Sequence, residues 1–170
     1  MNSTDLEINN MIMREIGLEV SHDKRIIDQD TGANISFKGM DVVAPGAYCG
    51  RNAIEFDPYN NNKMMNLLFG YFLDKHSEES DVSVTTYYNV NSSDKDKAAI
   101  ECRMSDMSKI RSKDYTRDSL KCTDIILQLN GNENPDLTKY DVPKEAPTVK
   151  KVVRRSAKNK SDTKTADNSK

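Results

Sequence analysis

KRIIDQDTGANISFKG, residues 24–39, sets the fold class. Two short predicted strands, 25–28 and 34–38, flank Asp30-Thr31-Gly32. Ile35 and Phe37 alternate with polar neighbours, as a half-buried strand requires. Asp and Gly tolerate the positive φ angles of the tight turns that join hairpin strands. The stretch therefore predicts a β-hairpin, and its neighbours are read against an antiparallel sheet.

Upstream, residues 4–16 predict a helix. Thr4 and Glu7 have capping-box spacing, and Leu6, Ile8, Met11, Ile12 and Ile16 recur at three- and four-residue steps. Gly17 is a natural stop, because Gly enters the left-handed C-cap freely. Downstream, residues 40–45 and 53–56 read as further short strands, halted by Pro45-Gly46 and Asp57-Pro58. Residues 59–76 predict the dominant helix, with Met64, Leu67, Leu68, Tyr71 and Phe72 on a broad apolar face. Asn60 to Asn62 are its cap candidates, and Lys75 and His76 are placed in its last turn. Gly70 suggests close packing against a neighbour.

Residues 82–129 read as a β-meander. Val82, Val84, Thr86, Tyr88 and Val90 alternate strictly, 97–104 is a second strand and 120–129 a third. The connection between the last two carries a helical turn at 107–111. The whole is an α+β chain: a small antiparallel β-sheet packed against one amphipathic helix, with an N-terminal helix and an extended basic C-terminal tail. Leu67, Leu68, Phe72, Ile35, Phe37, Val84, Ile100, Ile125 and Leu127 are its expected common core. Residues 1–17 are an N-terminal helix that either docks on a neighbour or packs on its own domain, 18–131 are the body and 132–170 the tail.

Charge divides along the same line. Residues 142–170 hold nine Lys/Arg against three Asp/Glu, and residues 1–141 hold sixteen against twenty-four. An acidic body of net -8 thus precedes a basic tail of net +6. Mean hydropathy is -0.76, and no run of eighteen apolar residues exists, so no membrane-spanning helix is expected. The N-terminal stretch lacks the apolar core of a secretory signal. Cys49, Cys102 and Cys122 are odd in number without C-x-x-C spacing, which argues against a disulfide framework or a four-Cys zinc site.

Phosphate-loop, dinucleotide, H-E-x-x-H and EF-hand signatures are absent from the sequence. D-T-G at 30–32 matches the aspartic protease triplet, but that chemistry needs two such aspartates in a larger β fold. His22 and His76 are far apart in sequence, and His76 reads as structural. From 95 to 124 the charges alternate in sign, which suits a solvated face better than a phosphate-binding one. No catalytic, cofactor-binding or metal-ligating residue is assigned, and neither a small-molecule substrate nor a membrane partner is expected.

The segment RIIDQDTGANISFKG resembles hairpins of virion structural proteins of tailed bacteriophages. With its Asn- and Lys-rich usage, the chain is similar to small neck, ring or head-accessory proteins of crAss-like podoviruses. The resemblance implies a non-enzymatic virion protein, assembled in many copies in the host cytoplasm beside portal, ring or capsid proteins. The expected subunit interface is Leu6, Met11, Ile12 and Ile16 of the N-terminal helix with Val149, Val152 and Val153 of the tail. Lys150, Lys151, Arg154 and Arg155 would supply electrostatic contacts. The alternative is a small DNA-associated accessory factor whose residues 150–160 neutralise phosphates, giving the tail a weak nucleic-acid contact.

Overall fold

The computed structural model describes residues 1–47, 50–79, 84–91 and 98–142, with backbone alone for 84–91 and 98. It is a mixed α+β structure of three helices and three small sheets. Helix α1 (Ser3–Ile16) is capped by Asn2, whose side chain accepts the Asp5 N–H at 2.7 Å, so the expected Thr4–Glu7 box is not the cap. Gly17 closes α1 as anticipated, at φ 80° with its N–H bonded to Arg14 and Met13 carbonyls.

Strand β1 (Leu18–Val20) pairs antiparallel with β2 (Ile26–Asp28), placing Leu18 opposite Asp28 and Val20 opposite Ile26. The expected hairpin partner of β2 contributes a bridge, Ile27 to Asn34, rather than a ladder. The ladder forms one step later, between β3 (Ser36–Phe37) and β4 (Met40–Val43). Lys38 and Gly39, at φ 53° and 76°, make its two-residue turn, the geometry that matches the right-handed twist of paired strands. β4 then pairs parallel with β5 (Ala53–Glu55), so this sheet is mixed.

Helix α2 (Asn62–Glu79) starts and ends three residues later than the sequence suggests. Asn61 Oδ1 accepts the Met64 N–H at 3.2 Å, satisfying a donor of the first turn. Met64, Met65, Leu68, Phe69, Phe72 and Leu73 are its buried face. Leu67 is not, at 43% exposure, because an apolar arc wider than the interface leaves its edge in water. Lys75 lies a turn inside the helix end. A Cβ added to Gly70 would meet open space, so no close approach explains that glycine.

β6 (Val84–Asn91), β7 (Ala98–Met104) and β8 (Lys109–Arg111) form the meander. Its third strand is β8, where a helical turn was expected. The stretch assigned to a third strand is helix α3 (Asp118–Leu129). Residues 119–127 of α3 are buried without interruption, and the helix packs on α1, α2, β7 and β8. Buried positions held by Ser119, Lys121, Thr123 and Asp124 as well as by apolar residues leave no clean helical period, which is why the segment reads as a strand. Asp118 in the first turn was the overlooked start signal.

The core joins α1, α2, α3 and the strands into one cluster, including the expected Leu68, Phe72, Ile35, Phe37, Ile100, Ile125 and Leu127. Val84's side chain lies outside the described residues. Two boundaries move. Ile8, Ile12 and Ile16 are buried at 0–2% exposure in their own body, so α1 is integral to it. Leu137 and Tyr140, the latter in a 3₁₀ turn (Thr138–Tyr140), are equally buried, so the body passes residue 131 and includes the start of the expected tail.

Candidate functional site

Asp28, opposite Leu18 on β2, is fully buried. A buried carboxylate needs donors for both oxygens, and the neighbouring sequence supplies them. Oδ1 accepts the Asp30 and Thr31 N–H groups at 3.0 and 2.7 Å and the Thr31 hydroxyl at 2.8 Å. Oδ2 accepts the Tyr71 hydroxyl at 2.6 Å and Lys75 Nζ at 3.0 Å, both from α2. Lys75 also pairs with Asp30. Thus D-Q-D-T-G is an aspartate-held turn clamped to a helix, and its D-T-G triplet is not a protease dyad.

Burial alone would raise the Asp28 pKa. The bonds from Tyr71, Thr31 and Lys75 outweigh it and hold the carboxyl well below the usual range. Burial, then the bond to Asp28, pushes the Tyr71 hydroxyl up to about 12. The bond to Asp30, followed by those to Asp28, raises Lys75. The Asp28 carboxylate is charged and fully bonded within the clamp across the physiological range. A shallow recess beside it is lined by Arg14, Asp30, Lys75, His76 and Glu79. His76 stacks on Phe72 at 5.8 Å.

A second network fastens the C-terminal part of the body. Asn9, buried on α1, donates to Asp57 at 2.8 Å and accepts from the Tyr59 N–H at 3.0 Å. Tyr59 donates to the Tyr140 carbonyl, and the Arg117 guanidinium lies 4.4 Å from the Tyr59 ring centroid. Glu7 accepts from Lys139 and Tyr140 at 2.6 and 2.7 Å. Asp141 accepts the Thr116 N–H at 3.0 Å, and Arg117 reaches the Val142 carbonyl at 3.3 Å.

The third feature is apolar. Leu6 on α1, Val20 at the end of β1, and Ala44, Pro45 and Ala47 after β4 line an open groove of about 460 Å³. Leu6 and Val20 are two of the six large hydrophobics exposed among the described residues. Lys24 is the charged side chain of the lining.

Of the expected interface residues, Leu6 is therefore available at the surface. Met11 is partly buried against the core, while Ile12 and Ile16 are buried in it and cannot face a neighbour without α1 leaving the body. That is a correction to the expected docking face. Val20 and the 44–47 turn were missed, because a strand end and a Pro-Gly turn carry no sequence signal for a shared groove. Val149, Val152, Val153, Lys150, Lys151, Arg154 and Arg155 lie outside the described residues, as does Cys49. Cys102 and Cys122 are free and buried, and burial raises both thiols, Cys102 to about 12. Among the described residues, no group of three or more His, Cys, Asp or Glu side chains is arranged to hold a metal ion, and no helix is long and apolar enough to cross a membrane. Comparison with family models, curated proteins and solved structures finds no match to this chain.

Proposed function

We propose that this chain is a non-enzymatic virion subunit of a tailed bacteriophage. It works in multiple copies in a head–tail neck, a tail ring or a capsid accessory layer, against portal, ring or capsid neighbours. The observation that carries this reading is the placement of charge. Residues 1–142 form a net -8 body, and the net +6 segment begins immediately after the Tyr59–Tyr140 network ties the chain down. Opposite charges on two parts of one chain favour contact between copies, because potentials of opposite sign steer encounter and set register. The polar groups of the Asp28 clamp are used in holding the fold, and the groove at Leu6 leaves apolar surface for a partner.

The test is the native mass of the full chain at low and moderate salt, together with its recovery from particles of the source phage. A defined oligomer that copurifies with particles supports the reading. A monomer absent from particles overturns it. Six cations within residues 150–160 favour a second reading, a small DNA-associated accessory factor. Its signature is DNA affinity that falls by about one log unit per log unit of salt for each phosphate contact.

A further inference from the structure

We propose that the groove at Leu6 and Val20 receives the Val149–Val153 segment of a second copy of this chain. The inference rests on the multi-copy reading above and specifies its contact. Five observations support this occupant. The groove presents aliphatic groups of modest size, Leu6, Val20, Ala44 and Ala47, which suit valines better than aromatic rings. Val149, Val152 and Val153 are the last apolar cluster of the chain, and Val152-Val153 is flanked by Lys150-Lys151 and Arg154-Arg155.

Charge agrees with this assignment. The body as a whole is net -8, and Glu55 accepts the Gly46 N–H at 2.7 Å in the groove's turn, while Lys24 is the one cation of the lining. Direction favours the second copy over the same one. Glu7 turns towards Lys139 and Tyr140, where the described chain ends, whereas Leu6, one residue away and about 100° around the helix, turns towards the groove. The last described contacts of the chain, at Lys139 and Tyr140, and the acceptor groove thus lie on different flanks of α1. Such a heterologous pairing repeats head to tail and closes into a ring when the rotation allows. The seven residues that follow Val142, up to Val149, span up to about 23 Å when extended, enough to cross to a neighbour.

The experiment uses two full-length variants. One is Leu6→Lys with Val20→Lys, which places like charge against the basic segment. The other is Val152→Asp with Val153→Asp, which leaves every residue of the core among the described residues unchanged. Sedimentation of each variant alone should show the association constant reduced by roughly tenfold or more. Their equimolar mixture should form a heterodimer, because one intact groove meets one intact tail. Far-UV circular dichroism identifies any groove variant that has unfolded, and the tail variant then decides alone.

Variants that assemble like the unaltered chain overturn the inference and leave the multi-copy reading standing. Amide protection at 149–153 in a monomer overturns it in favour of closure on the same body. Protection or assembly that appears only with added DNA overturns it in favour of phosphate binding. An unaltered chain that stays monomeric without such protection and is absent from particles overturns both readings.

Discussion

The β1–β2 pair does opposite things at its two ends. At Leu18–Asp28 it carries a carboxylate out of water and surrounds it with donors from a turn and from α2. At Val20–Ile26 it leaves a valine in water beside Leu6. The Asp28 carboxylate has no spare capacity, since each of its oxygens accepts at least two bonds. The apolar end has surface unused. The difference separates residues that look like chemistry from residues that can still interact. Asp28, Asp30, Tyr71 and Lys75 stabilise the fold, whereas Leu6 and Val20 remain free to meet a partner.

Removing the charge of the clamp should have the largest effect. Asp28→Asn keeps one acceptor but turns an amide N–H₂ towards the Tyr71 and Lys75 donors. Breaking a buried, hydrogen-bonded ion pair from one side costs about 3–5 kcal/mol. Phe72→Ala, a cavity in the core, should cost a similar ~3–5 kcal/mol. Urea denaturation measures both. A loss below about 1 kcal/mol for Asp28→Asn would place the clamp with ordinary surface pairs and erase the contrast.

The same contrast has a pH signature. Asp28 is lowered from 3.8, so its contribution is fully present above that ordinary value and is lost as pH falls below it. Lys75 is raised from 10.5, so its contribution is present below that value and is lost as pH rises beyond it. Stability should form a plateau between about pH 5 and pH 9. The acid limb of Asp28→Asn should be shallower than that of the unaltered chain. Parallel acid limbs would show that other carboxylates control acid unfolding.

Much of the fold was legible because it rests on local signals. Gly17 stops a helix, Ile35 and Phe37 alternate, and Met64 to Phe72 form an apolar face. Helix α3 was not legible, since burial on all sides removes the period that separates helix from strand. Nor was the clamp: Tyr71 and Lys75 lie more than forty residues from Asp28, and their spacing i, i+4 on α2 fits any solvent-facing stripe. The groove was half legible. Leu6 belongs to a visible stripe, but its partner Val20 comes from a three-residue strand. Residues 136–142 read as tail because they are rich in turn formers, yet Leu137 and Tyr140 reach the core.

At the apolar end the expected effect on folding is small. Leu6→Gln keeps a good helix former and removes a side chain already 41% exposed. The isolated chain should lose no more than about 1 kcal/mol, within the range of surface substitutions that touch some packing. Thermal denaturation at low concentration, below any association, measures it. A loss of several kcal/mol would mean that Leu6 belongs to the core and that the groove is not spare surface.

The smallest effect should have the opposite sign. Gly70 precedes Tyr71 on the helix that carries both outer donors of the clamp, and a Cβ there meets open space. Glycine in a helix interior costs about 0.5–1 kcal/mol relative to alanine, because the unfolded chain has more backbone freedom to lose. Gly70→Ala should therefore stabilise by about that amount, read as a higher urea midpoint at unchanged slope. The gain acts through the backbone and the unfolded state, so it should add to the loss from Asp28→Asn within about 0.5 kcal/mol. A destabilising alanine would reveal a close neighbour at Gly70. A gain that vanishes in the Asp28→Asn background would show that the helix is held in place by the clamp rather than by its buried face at Met64, Leu68 and Phe72.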